Sequence, residues 1–576
     1  MIPSFWAQRG EHIPSAHIPA SRPRLVAALF LALIAIGLLL NLGVRPLAFE
    51  EPRRGLVALE MQLRGDWVVP TTNGVPYLNK PPLFNWVLLG FMKVFGSTAE
   101  WVVRLPTVVS FLLTACLVYA VARRHLQRQT ALVAAALYLT FGQLLFKATL
   151  AGEIDLFFSL VVAAQALAIF HFEQSGQLLP LFLVSYLLAA AGVLTKGVPS
   201  LAFQGVTLLV WLAHARKLRT LLSWQHAAGL CAFALCAGGY FALYARRAEL
   251  APFLANVLLE SSERTAAGPG HGLAAVLVHA ARFPLELLWL LVPWTAFVPL
   301  LLAEGFRATL AERPLLKFCV LFTGANLVPY WLSPGTRQRY LYMFLPFAAL
   351  LLAAALERAR RDDWYPRLVE WTLGACLAAC TLAAAVIPFT RLGAFLSSPA
   401  AWVVVCGWLL ALSVAYGRRP DARVMAALLA IACLRIGYDL LVPNVRRTTS
   451  GASYYREVAS TLNERYAHEQ IALVARTWET ARDLPFVGRS VAVRQVEFFP
   501  SSLSFYFTAG RRQLLELAPE LVPSRLYLAR STFRVDRDHE VLEIFRTTLE
   551  DTQELKLVRI AASPTTDPAR QAAPAR

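Results

Sequence analysis

Apolar runs of roughly 20 residues, each long enough to cross the hydrocarbon core of a bilayer, recur along the chain from Leu25 to about residue 442. A chain with this pattern must bury much of its surface in lipid. The composition agrees, since 57% of the 576 residues are hydrophobic, only 16% are charged and the mean hydropathy is +0.51. These values exclude an ordinary soluble protein. The sequence therefore predicts a polytopic α-helical membrane protein.

The apolar runs predict about 13 transmembrane helices. The first run, Leu25 to Val44, exceeds the apolar core of a signal peptide, and no small-residue cleavage site follows it. It is expected to be an uncleaved span that leaves residues 1–24 in the cytoplasm, and an odd number of spans then places the C-terminal part outside. The other predicted spans lie near residues 101–122, 130–148, 156–172, 178–195, 198–213, 225–245, 285–303, 315–332, 340–356, 368–388, 400–416 and 423–442.

Positive charge is concentrated in the loops that this topology assigns to the cytoplasm, as the positive-inside rule requires. Membrane orientation therefore accounts for the net charge of +18, and nucleic acid is not an expected partner. The eight cysteines lie in or beside apolar runs and match neither a disulfide framework nor zinc-ligand spacing. No cofactor is indicated, and the question of a divalent metal stays open. The basic loops contain Arg123, Arg124 and Arg128; Arg216, Lys217 and Arg219; Arg307, Arg313 and Lys317; Arg358, Arg360, Arg361 and Arg367; and Arg418, Arg419 and Arg423.

One polar loop, residues 45–100, follows directly after the first span. Its stretch Phe49–Asn85 holds two adjacent glutamates, arginines and a lysine among several prolines. Leucines at helical spacing in its first half predict a short helix in the membrane interface, ended by Gly65. Prolines near Lys80 restrict the backbone that carries this lysine. Such a density of charge beside the bilayer predicts an active-site loop on the outer face.

Several cations fall on the outer face, against the charge bias, and these need another explanation. Anionic ligand binding is the natural one, and contact with lipid headgroups is the alternative for any single residue. The outer-face cations are Arg53, Arg54, Lys80, Lys196, Arg246, Arg247, Arg264, Arg337 and Arg339.

Hydrophobicity falls from Asn444 onward, where the membrane domain, residues 25–443, is expected to end. Residues 444–560 show mixed patterning that predicts a small external α/β domain, with a helix over Ser453–Tyr466. Residues 561–576 have the composition of a disordered tail. Strands are predicted over Ile471–Arg476, Ser504–Thr508, Arg525–Ala529 and Leu555–Ile560.

Short motifs spread over residues 45–510 resemble those of one family. They are Glu50-Glu51-Pro52-Arg53, Gly65-Asp66-Trp67, Pro76-Tyr77-Leu78-Asn79-Lys80-Pro81-Pro82-Leu83, Phe95-Gly96, Arg104-Leu105-Pro106, Leu194-Thr195-Lys196-Gly197, Pro293-Trp294, the segment Ser333 to Pro346, and Ser502-Leu503-Ser504-Phe505-Tyr506. As a set they are similar to bacterial glycosyltransferases of the lipid A aminoarabinose-transferase type, which are related to protein O-mannosyltransferases and share the GT-C membrane fold.

The resemblance implies transfer of a sugar from a polyprenyl-phosphate donor to a lipid A or lipopolysaccharide, other glycan or protein acceptor, on the periplasmic face of a bacterial inner membrane. A leaving phosphate needs cations, and an acceptor needs a carboxylate to orient or deprotonate it. Lys80 and Arg264 are the first choices for the phosphate, with Arg337 and Arg339 next. Glu50, Glu51 and Asp155 are the expected catalytic carboxylates, with Glu153 as a substitute for Asp155. Other matched residues expected to bind substrate are Arg53, Tyr77, Lys196 and Tyr342.

The chain departs from the family pattern at several positions. Glu50 replaces the family's Asp, Arg54 replaces a Tyr, and the loop after Arg264 lacks an aromatic residue, so aminoarabinose is not assigned as the sugar. Two alternatives remain: a GT-C scaffold that has lost its chemistry, and a membrane transporter or flippase. For Glu51, a salt bridge to Arg53 or Arg54 that holds the interfacial helix is the alternative to catalysis.

Overall fold

The computed structural model describes residues 23–262, 272–359, 364–484, 489–497, 499–549 and 552–561. Helices dominate up to residue 465, and strands gather after residue 470. The predicted phosphate ligand Arg264 lies outside the described residues. The helices are α1 Pro23–Leu39, α2 Glu51–Arg64, α3 Leu83–Phe95, α4 Glu100–His125, α5 Arg128–Leu139, α6 Gly142–Phe146, α7 Ile154–Gln174, α8 Leu178–Lys196, α9 Pro199–His214, α10 Trp224–Phe233, α11 Gly239–Ala245, α12 Leu250–Ser262, α13 Leu273–Leu290, α14 Glu304–Glu312, α15 Pro314–Trp331, α16 Leu345–Arg358, α17 Trp364–Val386, α18 Pro399–Arg418, α19 Arg423–Thr449, α20 Gly451–Arg465 and α21 Ser501–Arg511.

The chain is a polytopic membrane protein. Within the described ranges, nine helical stretches are long and apolar enough to cross a membrane, or ten if the pair Arg128–Leu139 and Gly142–Leu150, bent by 44°, counts as one span. The predicted number of about 13 is therefore not confirmed. Two shorter apolar helices, Leu25–Leu39 and Leu83–Phe95, fall below this length.

The predicted span at 285–303 is wrong. Helix α13 ends at Leu290 and a 3-10 helix follows over Trp294–Leu302. Pro293 lies between the two and has no amide hydrogen, and Pro299 lies within the second, so a continuous α-helical hydrogen-bond ladder cannot run through this stretch.

The C-terminal region, residues 451–561, combines two helices with a four-stranded sheet. Along the described chain, two short strands, β1 Thr71–Thr72 and β2 Val75–Pro76, pair in the loop between α2 and α3. The strands of the C-terminal region are β3 Ile471–Leu473, β4 Thr477–Leu484, β5 Arg489–Val496, β6 Leu526–Arg530, β7 His539–Phe545 and β8 Leu555–Ile560. The sheet has the order β3-β6-β8-β7, in which only the β3–β6 pair is parallel. The antiparallel hairpin β4–β5 stands apart from it and packs on α12.

The predicted strand over Ser504–Thr508 is wrong, because this segment lies inside α21. Residues Ser502 to Phe505 alternate polar and apolar side chains, which favours a strand by pattern. In the fold, Leu503 and Phe507, four positions apart, enter the core of the C-terminal region together. Tertiary packing therefore selects the helix.

Helix α2 forms where the spacing of its leucines predicts a helix. It ends at Gly65, whose φ of 70° is the left-handed conformation that favours glycine. The helix is more buried than an interfacial helix would be. Leu56, Val57 and Met61 pack with α3, α4 and α21 into one apolar cluster. At Gly55 a Cβ would lie 2.7 Å from the ring of Phe505, so α21 approaches the α2 backbone directly. The C-terminal region thus fixes the position of the loop that carries the predicted site.

Candidate active site

Charged side chains from distant parts of the chain meet at the end of the helical bundle that adjoins the C-terminal region. They come from the start of α2, the start of α7, the end of α8 and the 3-10 turn Gln338–Phe344 before α16. Each of these four places ends or begins a helix or lies in the turn directly before one.

Glu50 lies at the start of α2 and pairs with arginines one turn further on. Its carboxylate contacts Arg53 and lies 3.9 Å from Arg54. Burial raises the pKa of Glu50, but Arg53, Arg54 and Arg339 together outweigh burial and bring the pKa below its usual value. Arg54 also donates to the Tyr77 hydroxyl at 2.8 Å, which brings the predicted residue Tyr77 beside this pair.

Asp155 and Glu153 stand at the start of α7, where the positive end of the helix dipole favours carboxylates. Asp155 is buried and accepts from Lys196, the last residue of α8, at 2.5 Å. Glu153 pairs with Arg339 at 3.2 Å. Burial and the nearby charge of Asp155 raise the pKa of Glu153 to about 7, although Arg339 opposes the shift.

Gly152 explains how the backbone brings this pair into place. A Cβ at this position would lie 2.8 Å from the carbonyl oxygen of Val103, so the chain passes against α4 with room for hydrogen only. Any larger residue would push the start of α7 away from α4. The glycine therefore sets the position of Glu153 and Asp155 relative to α2.

Arg339 connects the two halves of the cluster, because it pairs with Glu153 and its charge also lowers the pKa of Glu50. Three carboxylates, those of Glu50, Glu153 and Asp155, thus share one site with the cations Arg53, Arg54, Lys196 and Arg339. The excess of positive charge suits an anionic ligand. Of the other predicted residues, Tyr342 is buried and Arg337 is exposed.

Lys80 lies on the segment between β2 and α3 and is half-buried. The preceding residues, Leu78 and Asn79, each accept a hydrogen bond from the Asn256 amide on α12 at 3.2 Å. Helix α12 leads into the residues that contain Arg264. The Lys80 segment is therefore attached to the helix that precedes the second predicted phosphate ligand.

Glu51 does not pair with Arg53 or Arg54, so that predicted salt bridge is wrong. It is fully buried and its two oxygens contact Arg45 and, at 2.8 Å, Arg104. Arg104 also donates to the carbonyls of Leu42 and Pro46, which joins α4 to the segment between α1 and α2. Removing one partner of such a buried pair typically costs about 3–5 kcal/mol. The geometry gives Glu51 a role in holding the start of α2.

Comparisons with known proteins identify sequence and structural relatives of the chain. Residues 79–240 match the family model of dolichyl-phosphate-mannose-protein mannosyltransferase. Undecaprenyl phosphate-alpha-4-amino-4-deoxy-L-arabinose arabinosyl transferase from Pseudomonas paraeruginosa is 29% identical over 58% of this chain and 60% of its own length. The enzyme of the same name from Yersinia enterocolitica is 26% identical over 70% of each chain. ArnT from Cupriavidus metallidurans, solved with bound undecaprenyl phosphate, covers 92% of this chain and 97% of its own at a TM-score of 0.65 and 18% identity.

The chain has the GT-C fold, and its sequence is similar to those of aminoarabinose transferases. The structural likeness extends over nearly the whole of both chains, whereas the alignment to the Pseudomonas relative spans about 60% of that relative's length. The GT-C fold is therefore established over the membrane bundle and the C-terminal region together.

Two features of this GT-C protein escaped the sequence reasoning. Arg45 and Arg104 are the partners of Glu51, and Arg104 was visible only as part of the short Arg-Leu-Pro motif. Asp66, in the Gly-Asp-Trp motif, accepts from the amides of Val68 and Val69 at 2.9 and 3.2 Å and from Arg247 at 2.8 Å. The motif therefore fixes a turn, a role that an aspartate shortly after a helix-ending glycine indicates.

Proposed function

We propose that this protein is an integral-membrane glycosyltransferase that moves a sugar from a polyprenyl-phosphate donor to an acceptor on the periplasmic face of the bacterial inner membrane. One observation carries the proposal: Glu153, paired with Arg339, and Asp155, paired with Lys196, share a site with Glu50. Carboxylates that accept a proton beside cations that stabilise a leaving phosphate are what this transfer needs. The names of the relatives support undecaprenyl phosphate as donor carrier. A lipid A-type acceptor is what the resemblance to lipid A aminoarabinose transferases implies.

In this mechanism the acceptor hydroxyl oxygen attacks the anomeric carbon of the sugar, and the bond between that carbon and the phosphate oxygen breaks. The proton of the hydroxyl passes to a carboxylate, and the bonding electron pair leaves with the polyprenyl phosphate. Attack opposite to the leaving group inverts the anomeric configuration. If the acceptor group is itself a phosphate, no proton is removed and the carboxylates only orient it.

Roles follow from the surroundings of each residue. Glu153 suits the base, because a base works best when its pKa is close to the working pH. Asp155 holds Lys196 in the site. Lys80, Arg339 and Arg264 are assigned to the donor phosphate, and Arg337 is assigned to the edge of the phosphate site. Arg53, Tyr77 and Tyr342 line the site, Glu50 positions the arginines of α2, and Glu51 holds the start of that helix.

The proposed topology has residues 1–24 in the cytoplasm, about 13 spans over 25–443 and residues 444–560 in the periplasm. Apart from residue 561, the tail predicted over 561–576 lies outside the described residues. In this orientation the charged cluster faces the periplasm, where polyprenyl-phosphate sugars are presented. The basic short loops support it, since they would all lie inside.

Turnover of radiolabelled polyprenyl-phosphate sugars by the purified protein tests the proposal. Glu153→Gln should lower turnover by about 10²–10⁴-fold with donor binding retained, since the base is lost and its shape is kept. Lys80→Ala should weaken donor binding roughly 10- to 150-fold, as loss of a charge-assisted contact does.

Asp536→Asn is the matched control, because this aspartate is 88% exposed in its side chain and lies in the C-terminal region. It should leave both quantities unchanged. Donor binding without turnover, under every acceptor supplied, would favour an inactive scaffold. Movement of the intact donor across vesicles without sugar transfer would favour a flippase, and either result overturns the proposal.

A further inference from the structure

A second cluster of cations includes the two arginines that pair with Glu51, Arg45 and Arg104. It surrounds a narrow open cleft between the end of α1 and the C-terminal part of α19. Arg45, Arg104 and Arg446 line it, together with Tyr438 and apolar residues of both helices. None of the lining residues belongs to the cluster of Glu50, Glu153 and Asp155.

The cleft holds more positive than negative charge. Of its three guanidinium groups, only those of Arg45 and Arg104 contact a carboxylate, that of Glu51. Arg446 is exposed and pairs with no residue that the structure describes. Burial and the positive charges of Arg104 and Arg446 lower the pKa of Arg45, although Glu51 opposes them. An anion between Arg45 and Arg446 would relieve this repulsion.

Arg45 has donors to spare for such an anion. It is 9% exposed, and both of its described hydrogen bonds, to Glu51 and to the carbonyl of Leu150 at 3.0 Å, use the same nitrogen, Nη2. Its Nε and Nη1 therefore remain available among the described contacts. Arg104, in contrast, already uses all three of its nitrogens.

The position of the cleft indicates a lipid as the source of the anion. It lies just beyond the end of α1, an apolar helix whose side chains Leu31, Ile36 and Leu39 are 50–56% exposed, as expected where a helix meets acyl chains. Leu42, Val442 and Pro443 give the cleft an apolar wall next to its arginines. A lipid whose phosphate lies at headgroup depth and whose acyl chains lie against α1 would contact both the arginines and the apolar wall.

We propose that this cleft binds the phosphate of an anionic membrane lipid, held by Arg45 and Arg446 with its apolar part against Leu42, Val442 and Pro443. The bound lipid joins the ends of α1 and α19. Through Arg45 it also contacts the ion pair that holds Glu51, and hence the start of α2. This site is separate from the donor site proposed above and does not depend on transferase activity.

Phosphatidylglycerol binding to the delipidated, full-length protein in detergent tests the proposal, with bound lipid counted by native mass spectrometry. Arg446→Gln should weaken the tightest phosphatidylglycerol site by about 10-fold or more. Arg447→Gln is the matched control, since Arg447 is the next residue, also exposed, and does not line the cleft. Lys80→Ala should leave this site unchanged, because it acts on the donor.

Two competitors distinguish the sources of the anion. Phosphatidylcholine, which carries no net charge, should not occupy the site, and inorganic phosphate should displace the lipid only weakly because it lacks the apolar part. Equal binding by wild type and Arg446→Gln, or equal binding of the two lipids, would overturn the proposal. Displacement by inorganic phosphate as effective as by the lipid itself would overturn the lipid assignment.

Discussion

At the scale of single residues, Glu153 is the group whose charge changes near neutral pH. Its pKa of about 7, raised by burial and by Asp155, makes it neutral below pH 7 and anionic above. If the anionic form is the base, turnover at saturating donor should fall roughly tenfold for each pH unit below 7 and level off above it. A pH–rate profile with constant ionic strength measures this.

Two variants assign the pH dependence to Glu153 and not to another group. Glu153→Gln should abolish the acidic limb along with most of the rate, since the amide cannot accept the proton. Arg339→Gln removes a positive charge that lowers the pKa of Glu153, so the limb should move to higher pH. The same acidic limb in Glu153→Gln would show that a different group titrates.

The sequence predicted several residues that the structure brings together, but it did not predict how they pair. The family motifs point to Glu50 and Lys196, and the wider resemblance to Asp155, but each only individually, because each signal is local. Asp155 and Lys196 are 41 positions apart, and only the packing of α7 on α8 brings them together. Glu51 has Arg53 and Arg54 close in sequence, yet its buried partners are Arg45 and Arg104, which a local pattern cannot reveal.

At the scale of elements, the contact between α2 and α21 connects the active-site loop to the C-terminal region. Gly55→Ala should lower stability by about 1–3 kcal/mol, because the added methyl would lie 2.7 Å from the Phe505 ring and force α21 outward. Thermal unfolding in detergent measures the loss. Turnover should fall with it, since α2 carries Glu50 and Arg53.

A second substitution separates this contact from a general effect of alanine. Phe505→Leu in the Gly55→Ala background should restore part of the stability by making room for the methyl group. Gly90→Ala in α3, where a Cβ would meet nothing within 4 Å, should be neutral or stabilising by up to about 1 kcal/mol. Equal losses at the two glycines would contradict this account of the α2–α21 contact.

Elements whose pattern agrees with their surroundings were predictable. Leu56, Leu59 and Leu63 recur at helical spacing and helix α2 forms there, while β8 forms over the predicted Leu555–Ile560. Segments whose pattern and environment conflict were not, as α21 and the interrupted stretch at 285–303 illustrate. In both, a local signal was overridden by packing or by proline.

At the scale of the whole molecule, the membrane orientation decides whether the charged cluster can meet its donor. The loop of residues 45–100, which carries Glu50, lies at the same end of the bundle as the C-terminal region. Its Asn73 donates to Ser504 at 2.9 Å and to the carbonyl of Leu515 at 2.8 Å. One labelling site in the C-terminal region therefore reports on both. The basic loops predict that this end is periplasmic.

Single cysteines at Asp536 and Leu222, in a protein from which the eight native cysteines are removed, test that orientation. Asp536 is 88% exposed in its side chain, and Leu222, beside the basic loop Arg216 to Arg219, is 90% exposed, so both thiols would be accessible to reagent on their own side of the membrane. An impermeant thiol reagent should label position 536 in spheroplasts and position 222 only after lysis. The reverse pattern would place the charged cluster in the cytoplasm, where a nucleotide-linked donor would be available and the proposed use of a periplasmic polyprenyl-phosphate sugar would fail.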